Sequence, residues 1–164
     1  MPSIMYFLRQ PMILNNQIVL TIVWIITAFS FYLNNTFIKY VPGNFEDNYL
    51  AVSTTDIFVS LTAGYMYYNI PNPKVLFFAY SVVAALSMAC MVLFVDHKHP
   101  NWTVPVYISL NRAGVIANFI TLYMAHPTFF PTLFIATSLG ISNLLARCAV
   151  ILAPLFAEAA SPVP

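Results

Sequence analysis

The sequence predicts an all-α membrane protein of about five transmembrane helices, and three observations predict it. Of the 164 residues, 60% are hydrophobic and only 7% are charged, against about 25% charged in an ordinary soluble domain. The apolar residues fall into five stretches, each long enough to cross about 30 Å of hydrocarbon at about 1.5 Å per residue. Asn, Pro, Gly and His residues punctuate the stretches, and most of the charges lie between them.

Residues 1–16, with Pro2, Arg9 and Pro11 around an apolar run, read as a short amino-terminal interfacial segment, and 17–160 as a single transmembrane domain. The spans are expected at about 17–34, 49–68, 75–95, 104–125 and 130–156. Asn34 and Asn35 with Pro42 and Gly43 close the first, and Asn69-Ile70-Pro71-Asn72-Pro73 the second. The polar run from Asp96 to Pro105 closes the third. His126-Pro127-Thr128 closes the fourth, which makes His126 a loop residue. Aromatic rings at Phe31, Tyr32, Tyr67, Tyr68, Trp102 and Phe130 sit where headgroup-level anchors belong. Arg9 and Lys74 on the amino-terminal side balance Lys39 and Lys98 on the other, so the positive-inside rule assigns no orientation.

Several function classes drop out. A formal charge of +1 leaves no electrostatic footprint for nucleic acid. No nucleophile elbow, phosphate loop, catalytic carboxylate pair or zinc motif occurs, so no enzyme activity, catalytic residue, metal or cofactor is expected. The pair His97 and His99 reads as part of a polar loop rather than a metal site. Asn34-Asn35-Thr36 and Asn101-Trp102-Thr103 fit the glycosylation triplet, a pattern that chance produces often. Cys90 and Cys148 lie in apolar runs and read as small core residues, not a disulfide. Gly64, Gly114 and Gly140 read as close helix contacts.

Three charges fall inside the spans: Asp56, Arg112 and Arg147. A charge at the bilayer centre costs about 2.5–3.5 kcal/mol on insertion scales, so each should face protein or water. Counting along the helices puts all three about 10–12 Å from the surface reached by the first loop. An acid and two arginines at one level predict a buried ion cluster in which Asp56 pairs with Arg112 or Arg147. The surplus positive charge would meet a ligand anion, a lipid headgroup or a partner's carboxylate. The plainer alternative is a structural ion pair with the leftover arginine snorkelling to the interface.

The carboxyl-terminal half resembles the major facilitator superfamily, specifically its organic cation and anion transporter branch. Asn111-Arg112-Ala113-Gly114, Tyr123, Phe130-Pro131-Thr132, Leu139-Gly140-Ile141, Ala146-Arg147 and Ile151-Leu152-Ala153-Pro154 follow the order and spacing of that family's tenth and eleventh spans. Trp24, Tyr32, Gly43-Asn44 and Asn48 are fainter traces of its seventh and eighth. The resemblance implies an incomplete six-helix half in which Arg112 and Arg147 face the central cavity, Arg147 where the family senses substrate. The departures are equally specific. Where the family carries a gating acid and arginine, this chain has Thr128 and Ile135; the twelfth span and the first half have no counterpart.

Alternating access rocks two six-helix halves around a shared site, which one incomplete half cannot do. The expected function is therefore that of a degenerate transporter-like protein retained as an accessory subunit of a larger membrane complex. Its partners would be the bilayer, bound lipids and other membrane subunits. A mitochondrial respiratory-chain assembly in the inner membrane is the setting such recruitment suggests. The alternative is a half-transporter for small organic anions, working as a dimer or with a separate partner half.

Overall fold

The computed structural model describes residues 10–40, 44–70, 72–94 and 103–160. Among these residues six α-helices follow in chain order: α1 (Pro11–Phe37), α2 (Phe45–Asn69), α3 (Pro73–Phe94), α4 (Thr103–Phe129), α5 (Ile135–Val150) and α6 (Leu152–Ala160). A one-turn 3-10 helix, Ile38–Tyr40, extends α1, and no strand occurs among the described residues. The first segment of the interfacial stretch, 1–9, and the Asp96–His99 loop with Asn101 and Trp102 lie outside the described residues. Residues 11–16 belong to α1, because Pro11 fits the first helical position, where no N–H is needed.

Local chemistry sets the helix ends. Asn44 caps α2 by accepting a bond from the Glu46 amide at 3.3 Å, and Glu46 and Asp47 place negative charge at its positive end. Asn72 accepts the Lys74 amide at 3.2 Å at the start of α3. Pro154 would crowd the Val150 carbonyl one turn earlier, and Val150 is where α5 stops. The stretch expected as one span at 130–156 is thus two helices with a break at Ile151.

Helix α4 runs through the middle of the bundle, packing on α3, α2 and α1, while α1 also packs on α5 and α6. Leu20, Trp24 and Ala28 of α1 meet Leu122, Phe130, Phe134 and Ala146 in the core. Trp24, 1% exposed, stands edge-on to Phe119, Tyr123 and His126. His126 is a correction to the loop expected there: it is helical and fully buried. Pro127 sits in the last turn of α4, so its missing N–H interrupts little, and the helix continues to Phe129.

Three segments are long and apolar enough to cross a membrane: Pro11–Tyr40, Pro73–Phe94 and Ile135–Ala159. They fit an integral membrane protein. Helices α2 and α4 match them in length but carry more polar side chains, and on α4 these turn inward: Arg112, Asn118 and Thr121 are all buried.

Of the three glycines read as close contacts, Gly114 is one. A Cβ there would lie 2.6 Å from the Tyr80 carbonyl oxygen and 2.8 Å from the Ala84 Cβ, so α3 and α4 cross almost backbone to backbone. Gly64 and Gly140 face open space, with no atom near enough to exclude a methyl group. Both cysteines are free; Cys90 is half-buried and Cys148 is exposed rather than in the core.

Candidate functional site: an interhelical ion pair and a separate arginine

Arg112 projects from the middle of α4, and Asp56 from the middle of α2, where the two helices pack together. Arg112 Nε donates to Asp56 Oδ1 at 3.0 Å and Nη2 to Oδ2 at 3.1 Å, a two-pronged pair. Its Nη1 donates to Asn35 Oδ1 at 2.7 Å and to the Phe31 carbonyl at 3.4 Å. The guanidinium also lies over the Phe31 ring, 4.1 Å from its centroid. These four bonds leave a single one of the five guanidinium donors unused. The Arg112 side chain is 6% exposed and that of Asp56 35%.

Neighbouring amides fix this arrangement. Asn34 donates to Asn111 Oδ1 at 2.7 Å, and Asn111 donates to the Ala84 carbonyl at 2.8 Å. The chain α1–α4–α3 is therefore tied together one residue away from Asn35 on α1 and from Arg112 on α4. Asn34, the acceptor of the first glycosylation triplet, is committed to this contact and lies half-buried. The space beside Arg112, lined by Asn35, Val52 and Met88, is about 30 Å³, room for about two waters.

Arg147 takes no part in the ion pair. It is exposed on α5, donates through Nη1 to the Tyr32 hydroxyl, and sits 5.5 Å from the Tyr32 ring centroid. Arg112 and Arg147 thus reach adjacent residues of α1, Phe31 and Tyr32, from different sides. A cleft of 190 Å³ opens beside Arg147, walled by Phe31, Tyr32, Phe119 and Tyr123.

A second polar cluster escaped the sequence reading. Gln17 donates to Thr21 and to Ser142 Oγ, each at 3.0 Å, and accepts from Ser138 Oγ at 2.5 Å. Thr21 and Ser142 join hydroxyl to hydroxyl at 2.9 Å. All four side chains are buried. Both pairs stand four residues apart, on one face of a helix, a spacing that could have exposed the cluster. It holds α1 to α5 and presents no chemistry to a ligand.

The fold and these contacts define an all-α membrane protein with a partly buried ion pair between two of its helices and, among the described residues, no group of three potential metal ligands. No family model matches the chain, and no curated protein matches it.

Proposed function

We propose that the chain crosses the membrane five times as a transporter-derived helical bundle and serves as a structural subunit of a larger membrane assembly. The observation that carries this reading is that Arg112 commits four of its five donors within the chain. A cavity arginine kept for substrate needs free donors and room beside it, whereas this one spends four of five donors on Asp56, Asn35 and Phe31 beside a space of about 30 Å³. The inward turn of the polar residues of α4 supports counting it as a span. The resemblance to the organic ion branch of the major facilitator superfamily, with Thr128 and Ile135 in place of its gating charges, supports loss of a transport cycle. An energy-transducing membrane such as the mitochondrial inner membrane is the proposed location.

A second reading, a half-transporter for an organic anion, draws on the Arg147 cleft, where an exposed guanidinium stands among aromatic walls. Reconstitution of this chain alone into liposomes separates the two. The subunit reading predicts no uptake of organic anions above that of empty liposomes; uptake abolished by Arg147→Ala would overturn it.

A further inference from the structure

Helices α1 and α3 both pack on α4 but scarcely touch each other, leaving a groove of 970 Å³ along the face of α4. We propose that this groove seats one anionic phospholipid, its phosphate at Lys74 and its acyl chains between α1 and α3. The mouth carries the Lys74 side chain, the amides of Asn15 and Asn16, and no acid. The ammonium of Lys74 is exposed and pairs with no carboxylate among the described residues. A membrane phosphate complements that charge, as basic pockets between spanning helices do for acidic headgroups.

Below the mouth the walls are apolar, with Val19, Val23 and Ile26 on α1 facing Phe77 and Phe78 on α3. From Asn16 to Ile26 is about 15 Å along a helix, half of a hydrocarbon core of about 30 Å. At that depth a polar band interrupts the lining, with Thr27 and Ser30 on α1, Ser81 on α3 and Asn118 on α4, before apolar walls resume at Leu33, Ala84 and Met88. The apolar stretch between Lys74 and this band therefore has the length of one leaflet, with cationic and amide donors at its outer end and hydroxyls at its inner end. That is the profile of a phospholipid lying in its own leaflet.

The inference is independent of the subunit reading, because it concerns a lipid against this chain alone. Its test is native mass spectrometry of the full-length chain in detergent, titrated with phosphatidylglycerol or phosphatidylcholine of matched chains. Phosphatidylglycerol should bind about fivefold more tightly. Lys74→Ala should erase that preference, Val19→Trp should weaken both lipids by narrowing the groove, and Lys39→Ala at the opposite end should change nothing. Each variant is checked for unchanged thermal unfolding. Equal binding of the two lipids, a preference that survives Lys74→Ala, or competition by inorganic phosphate as effective as the lipid would overturn the proposal.

Discussion

Arg112 holds Asp56 by two parallel hydrogen bonds, Nε to Oδ1 at 3.0 Å and Nη2 to Oδ2 at 3.1 Å, between the middles of α4 and α2. The pair joins the two helices least able to enter a membrane by hydropathy alone. Each carries one partner, so neither charge is left bare once they pack.

Breaking the pair should therefore cost more than removing it. Arg112→Met leaves the Asp56 carboxylate without its counter-ion, and a loss of about 3 kcal/mol is expected, near the low end for buried pairs because Asp56 is 35% exposed. Arg112→Met combined with Asp56→Leu should recover most of that loss. Thermal unfolding of the detergent-solubilised single and double variants measures both, and a double variant no better than the single one would contradict the pairing energetics.

Arg147→Ala should behave differently. The side chain is exposed and makes one hydrogen bond, to Tyr32, so the melting temperature should fall by far less than for Arg112→Met. The same melting experiment reads the contrast.

The glycines give a prediction of opposite signs. Gly114→Ala would drive a Cβ to within 2.6 Å of the Tyr80 carbonyl and should destabilise by about 1–3 kcal/mol. Gly140→Ala meets no atom and lies within α5, so it should stabilise by about 0.5–1 kcal/mol. A matched pair of melting curves decides it.

Gln17→Leu should cost about 1–2 kcal/mol by removing the shared partner of Thr21, Ser138 and Ser142. If α1 and α5 are held mainly by Trp24 and its apolar neighbours, the measured loss will fall below that range.

The helices were legible in the sequence because apolar runs and Pro-Asn punctuation act locally. Where a proline governed the reading, its position within the helix mattered. Pro127 stands in the last turn and leaves His126 helical, whereas Pro154 breaks the last stretch at Ile151. Charge counting placed Asp56, Arg112 and Arg147 at similar depth, but depth says nothing about direction around a helix axis. Only packing turns Arg112 toward α2 and Arg147 toward Tyr32. Equally, composition marked three glycines alike, and only the crossing of α3 over α4 distinguishes Gly114.

The mass of the particle extracted from native membranes in mild detergent tests the central claim most directly. The account predicts that the 18.4 kDa chain migrates within a much larger particle containing other membrane proteins at fixed stoichiometry. Migration as a monomer or as a dimer of this chain alone would contradict it.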